Sequence, residues 1–192
     1  MKDTTKKLCE SALAIALATA LSFFVLYKMP LGGSVKLCAM LPILLVAIKN
    51  GPKWGFGTAF CHGLLQMLLS IADVSGWGLT PLVFVCTLLV DYILAYTVLG
   101  IAGCFGKSEG SALIGITLSV VLRLVCHVFS GVVFFASWMP ETFTSPLWYS
   151  IVYNGTFLGP ELALTLVAAV ILFRFAPIKK YIFGSAYFAQ ES

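Results

Sequence analysis

Six apolar stretches, each closed by glycine, proline or charge, make up most of this chain; they run 9–27, 37–48, 55–72, 79–105, 112–138 and 147–175. A helix gains about 1.5 Å per residue, so about 20 apolar residues cross a hydrocarbon core about 30 Å thick. No water reaches the backbone there, which leaves helices or closed barrels as spanning structures. The long alternating segments of a barrel are missing. Of the 192 residues, 60% are hydrophobic and 10% charged, whereas a soluble domain carries about 25% charged residues. The expectation is one all-α integral membrane domain over residues 1–192, with six transmembrane helices in the lipid bilayer. Segment 37–48 is short for a span, so either it does not cross alone or "PLGGSVK" extends it in irregular backbone. The last two segments are long enough to be tilted or kinked, with Pro160 as the kink. The first stretch is too long for a signal-peptide core of about 7–15 residues and reads as a retained span.

Lysine and arginine orient these helices. Counting ends and loops alternately, one side holds Lys2, Lys6, Lys7, Lys49, Lys53, Lys107, Arg174, Lys179 and Lys180, and the other holds Lys28 and Lys36. The positive-inside rule places the first side, and with it both termini, in the cytoplasm. The outer connections are then "KMPLGGSVK", "DVSGWG" and "MPETFTSP", and the tail after Phe175 forms an interfacial end with a basic anchor.

Ionisable groups inside spans are expensive and mark function by default. Away from the span ends there are few besides His62: Asp91, Arg123, His127 and Glu161. In "VVLRLVCHVFSGVVFFASW" the residues Arg123, His127 and Gly131 recur every four positions, which puts them on one helical stripe. Phe134 and Phe135 follow about two turns on, and Trp148, Tyr149, Tyr153 and Asn154 enter the last span from the same side. With Asp91 and Tyr92 these groups can converge near the outer face. A carboxylate, an imidazole, an amide and several aromatic rings suit a small polar or cationic aromatic ligand, since ring faces attract cations by about 0.5–2 kcal/mol each.

Plainer roles compete at several positions. Arg123 can be a structural cation beneath the site, with Asp91 or Glu161 as its partner. Glu161, beside Pro160, can line the cavity floor or cap a broken helix. Trp148 fits the interfacial aromatic belt, and His62 reads as a packed or interfacial histidine. Asn154 in "NGT" matches a glycosylation sequon but lies in or beside a span. In "ESALAIALATALS" the residues Ala12, Ala16 and Ala20 share one face; small residues at this spacing admit a close helix, either another subunit or a neighbour within the chain. The six cysteines are scattered and read as small membrane-embedded apolar residues. The sequence has no HExxH, Walker or Asp-rich motif, so no enzyme, metal centre or cofactor is expected. Nor is there a basic patch with interleaved aromatics that would call for nucleic acid.

Taken in order, "ESALAIALATALS", "GGSVKLCAMLPILLVAIKNGPKWG", "DYILAY", "RLVCHVFSGVVFFAS" and "WYSIVYNG" cover nearly the whole chain. This pattern resembles the thiamine-specific substrate-binding (S) subunits of energy-coupling factor (ECF) transporters of bacteria. The resemblance implies a multi-pass protein of the bacterial plasma membrane that binds thiamine outside and delivers it inward. It implies a scaffold membrane subunit and two ATPase subunits as partners. It also implies substrate contacts for Asp91, Tyr92, His127, Gly131, Tyr149 and Asn154, and for Phe135, which stands where some relatives carry a stacking tryptophan. On the stripe, His127 would then be a hydrogen-bonding wall and Gly131 a bare backbone against which a flat ligand lies. The face of Ala16 and Ala20, extended by Ala12, would dock on the scaffold. "PLGGSVK" lacks the tryptophan that covers the pocket in relatives, which leaves the lid role of 29–36 open. The competing readings are an S subunit for another vitamin or a thiamine precursor, and a stand-alone proton-coupled carrier using Asp91, Arg123 and His127.

Overall fold

The structure is a computed structural model that describes residues 3–29 and 33–184. Its first helix, α1 (Asp3–Ser22), stops five residues short of the expected span. The last turn tightens, with Phe23 N–H donating to Ala20 O and Phe24 N–H to Leu21 O, and the Ser22 hydroxyl bonds back to Thr19 O at 2.7 Å. The β-branched and aromatic run that follows then leaves the helix as strand β1 (Val25–Lys28), antiparallel to β2 (Ser34–Lys36). The pairing is Val25 with Lys36, Tyr27 with Val35 and Lys28 with Ser34, with an irregularity between Val25 and Tyr27. The wholly α-helical expectation is therefore corrected by one small hairpin. Residues 30–32 of "PLGGSVK", and the tail from 185, lie outside the described residues.

Cys38 adopts φ 52° at the exit from β2, and α2 (Leu41–Asn50) begins three residues later. Ten residues make about 15 Å of helix, so the hairpin arm and this short helix share the crossing that the sequence assigned to 37–48. Seven residues of α2 are buried, Leu41 to Leu44 and Val46 to Ile48. A helix apolar on all sides belongs in a core, and α2 is wrapped by the others.

Among the described residues, four helices are long and apolar enough to cross a membrane: α3 (Pro52–Ser75), α4 (Pro81–Cys104), α5 (Glu109–Phe134) and α6 (Pro146–Arg174). They match four of the six expected segments. Helix α1 is 20 residues long but opens with Asp3, Lys6, Lys7 and Glu10. Helix α6 continues through Pro160, the expected kink position, without a break. A further helix, α7 (Ala176–Phe183), follows α6 directly and buries Ile182 and Phe183.

The rod α4 is not uniform. It is α-helical to Thr87, a π-helix over Leu88–Leu94, and 3-10 over Val98–Cys104. The tight end packs closely on α3: a Cβ at Gly100 would fall 2.5 Å from the Phe56 nitrogen, so only glycine permits the crossing.

Side-chain bonds stitch one end of the bundle. Lys49 meets Glu10 at 2.5 Å and lies 3.2 Å over the Tyr181 ring, Asn50 donates to Glu10 at 3.1 Å, and Lys179 meets Glu109 at 2.6 Å. The starts of α1 and α5, the end of α2, and α7 thus share one basic end, as the lysine count implies. The hairpin and the 76–80 and 135–145 connections lie at the other end.

Candidate functional site

Between the hairpin and helices α3 to α6, toward the end opposite the basic one, lies a half-open cavity of about 180 Å³. All seven expected contact residues line it: Asp91, Tyr92, His127, Gly131, Phe135, Tyr149 and Asn154; so do Arg123 and Glu161.

The π-helix presents Asp91 and Tyr92, with Thr87 and Tyr96 one turn to either side, all to the cavity. Such segments widen the helix by one residue and recur at functional sites. Across from it, α5 carries a polar chain. His127 Nδ1 lies 2.8 Å from Asp91 Oδ1, and Ser130 Oγ–H donates to Asp91 Oδ2 at 2.5 Å. Arg123 Nε–H donates to His127 Nε2 at 3.4 Å. Arginine can only donate, so Nε2 is the accepting nitrogen and the imidazole proton sits on Nδ1, where it donates to Asp91. The imidazole thereby joins the guanidinium to the carboxylate, and its ring is fixed at both nitrogens.

This arrangement corrects the expected ion pair. Among the described residues Arg123 makes no ion pair with Asp91 or Glu161. Its guanidinium lies 4.1 Å over the Tyr96 ring instead, a cation–π contact in a site it barely shares with solvent (6% exposed). The opposing element explains why: the π-helix turns Asp91 to His127 and Ser130 and turns Tyr96 to Arg123. Glu161, 3% exposed, accepts the backbone N–H of Lys36 at 2.8 Å. It lines the floor and anchors β2; it caps no helix break.

Gly131 lines the cavity and also sets a helix spacing. A Cβ there would meet Ser150 Oγ at 2.1 Å and Ser150 Cβ at 3.0 Å. The glycine lets α6 approach α5 closely. Ser150 then donates to Val128 O at 3.1 Å, and Asn154 Nδ2 donates to Ser150 O at 2.9 Å. The buried Asn154 is held by its own helix, in no position for a glycan.

Two aromatic walls close the cavity. One joins Trp77, Phe135 and Trp138, with centroids 6.0 Å apart for Trp77–Phe135 and 5.0 Å for Phe135–Trp138. The other is a ladder on α6, Tyr149 to Tyr153 at 5.9 Å and Tyr153 to Phe157 at 6.2 Å. Tyr153 OH also accepts Gly33 N–H at 3.2 Å. Sequence reasoning counted Tyr153 among the converging aromatics but did not select Trp77, Trp138, Phe157, Tyr96 or Ser130. The spacing of Tyr149, Tyr153 and Phe157, four residues each, was a usable signal. Trp77 and Trp138 come from connections, where no periodicity points.

The other candidates fall outside the cavity. Trp148 is exposed, as a belt residue would be, and His62 is fully buried with its ring edge-on to Tyr96 at 5.1 Å. Ala12, Ala16 and Ala20 form an exposed row on α1, while Ala14 and Ala18 face the core.

Comparison with known proteins gives this pocket its context. The chain is 34% identical over 187 residues to the thiamine transporter ThiT of Bacillus subtilis (strain 168), covering 89% of this chain and 92% of that protein. Its fold matches a solved structure of ThiT from Listeria monocytogenes with a TM-score of 0.74, at 23% identity, over 93% of this chain and 98% of the other. It also matches the S-component for biotin from an ECF-type ABC transporter, with a TM-score of 0.52, at 19% identity, over 95% and 99%. These relatives are transport proteins and not enzymes. Residues 8–181 match the model of the thiamine transporter protein (Thia_YuaJ) family, and the chain belongs to that family.

Proposed function

We propose that this protein is the thiamine-binding S subunit of an ECF-type vitamin uptake system. In this reading it spans the plasma membrane of a bacterium six times, α1 and the hairpin–α2 arm completing the four long helices, with both termini and the basic end in the cytoplasm. The cavity then opens outward, where it captures thiamine. A scaffold membrane subunit docks on the exposed Ala12, Ala16 and Ala20 row, and two ATPase subunits drive delivery inward.

The observation that carries the reading is the combination of aromatic walls with buried charge in one cavity. Asp91, Tyr92 and His127 would orient a flat heteroaromatic ring by hydrogen bonds. Phe135 with Trp77 and Trp138, and Tyr149 with Tyr153, would hold ring faces and a cationic ring between them, and Asn154 would border the site from α6. Gly131 contributes by setting the α5–α6 spacing. Asp91 and Glu161 offset the ligand's positive charge, while Arg123 and Lys36 prevent an excess of negative charge when the site is empty. No resident cofactor enters this scheme.

Two of the four tryptophans, Trp77 and Trp138, border the cavity. Thiamine titrated into the purified protein should change their fluorescence saturably. No saturable change up to millimolar thiamine sinks the proposal. Equal displacement by the free aminopyrimidine would move the assignment to a precursor-specific subunit.

A further inference from the structure

On the outer surface of α5 and α6, away from the cavity, lies a groove of about 630 Å³. Leu113, Ile114 and Leu118 form one bank, and Val167, Val170 and Ile171 form the other. Ile114, Leu118, Val167, Val170 and Ile171 are all exposed, and both helices are of membrane-crossing length and composition. The chain itself provides nothing to fill the groove among the described residues.

The groove ends at a cationic rim. Arg174 continues the Val167, Val170, Ile171 face at the spacing of one helical stripe, seven, four and three residues on. Lys107 immediately precedes the cap of α5, at the same end. The Lys179–Glu109 bond at 2.6 Å pins α7 across that end, and Lys180 is the next residue on α7. Glu109 is matched by Lys179. Lys107, Arg174 and Lys180 are exposed and make no ion pair among the described residues.

We propose that the groove and its rim bind one anionic phospholipid. The first carbons of an acyl chain lie between the two banks, and the phosphate meets Arg174, Lys107 and Lys180. The apolar banks account for the chain, and three unneutralised cations at one mouth account for the headgroup charge; basic sites between membrane helices take anionic headgroups for this reason. A zwitterionic lipid satisfies the groove equally well but leaves the rim unmatched.

The test uses the full chain in nanodiscs of phosphatidylcholine containing a minor share of phosphatidylglycerol, extracted gently and weighed by native mass spectrometry. The expected result is one retained phosphatidylglycerol, enriched about tenfold over its share of the bilayer given three screened surface cations. The enrichment should vanish in the Lys107→Gln, Arg174→Gln, Lys180→Gln triple variant, while Val167→Trp should expel lipid of both kinds. Thiamine titration checks that each variant is folded, and Arg174→Gln alone replaces the triple variant if the latter is not. Equal retention of both lipids, no retained lipid, or enrichment that survives the loss of the rim charges overturns the proposal. So does a dimer mass abolished by Val167→Trp, which would assign the face to a second copy of the chain.

Discussion

Gly131→Ala separates two roles for the same glycine. The added Cβ would sit 2.1 Å from Ser150 Oγ, where ordinary contact begins at 3.4 Å, so the gap must open by about 1.3 Å. Rotating the hydroxyl away breaks the Ser150 bond to Val128 O and the Asn154 bond to Ser150 Oγ. Ser150 is 2% exposed, so water does not replace them, and each loss costs about 1 kcal/mol. The Ser150 Cβ, at 3.0 Å, still resists. Alanine returns about 1 kcal/mol of helix propensity, which leaves a net loss of about 1–3 kcal/mol. Thermal unfolding in detergent measures it, and Ser150→Ala in a double-mutant cycle should show coupling of about 1 kcal/mol or more. Thiamine affinity should fall in parallel, because Asn154 moves with the helix. Weaker binding with unchanged thermal stability, and no coupling to Ser150, would falsify this account and return Gly131 to the ligand wall.

Asp91→Asn keeps an oxygen for His127 Nδ1–H but removes the carboxylate charge and sets an amide N–H where Ser130 Oγ–H donates; thiamine binding should weaken about 10- to 100-fold, consistent with about 1–3 kcal/mol for a disrupted buried bond, and an affinity within about twofold of wild type refutes a role for the Asp91 charge. Glu161→Gln keeps an acceptor for Lys36 N–H and should leave the hairpin anchored, whereas Glu161→Ala should expose the hairpin to faster amide exchange; equal exchange in both refutes the anchor. Trp77→Ala and Trp138→Ala should each weaken binding about 2- to 10-fold, in line with about 0.5–1.5 kcal/mol per aromatic contact, while Trp148→Phe should leave the titration unchanged. Glu10→Gln leaves Lys49 without its carboxylate at a site where both are less than 15% exposed; thermal stability should drop by about 1–3 kcal/mol with thiamine affinity intact, and unchanged stability would show that the Tyr181 ring suffices.

The parts of this fold that could be read from the sequence are those governed by one solvent. Long helices facing lipid must be continuous and apolar, so the segments 55–72, 79–105, 112–138 and 147–175 returned as α3 to α6 with shifts of a few residues at their ends. The first two segments were read by the same rule, and they too returned as helices, α1 and α2, but with a hairpin between them that the rule does not see. Hydropathy scores "FFVLYK" as more helix, but those residues leave α1 to pair with "SVK", and pairing across five intervening residues leaves no trace in a running average. Segment 37–48 is apolar because α2 is buried by its neighbours on every side, and burial in protein and burial in lipid select the same residues.

The site divides along similar lines. Rare ionisable groups in apolar surroundings stand out, so Asp91, Arg123, His127 and Glu161 were found, and all four border one cavity. Their pairing was not legible, because it depends on a helix geometry that sequence spacing misstates. A regular helix would repeat on 3.6 residues, whereas the π-helix at Leu88–Leu94 advances the register and sends Asp91 to His127 while Tyr96 takes Arg123. Arg123 therefore reaches Asp91 through an imidazole and not directly, which places the imidazole under the control of both charges. A charge change at either end of that chain should be felt at the same nitrogen pair. The arginine that sequence alone cast as a support beneath the site thus helps to set which hydrogen bonds the site can offer a ligand.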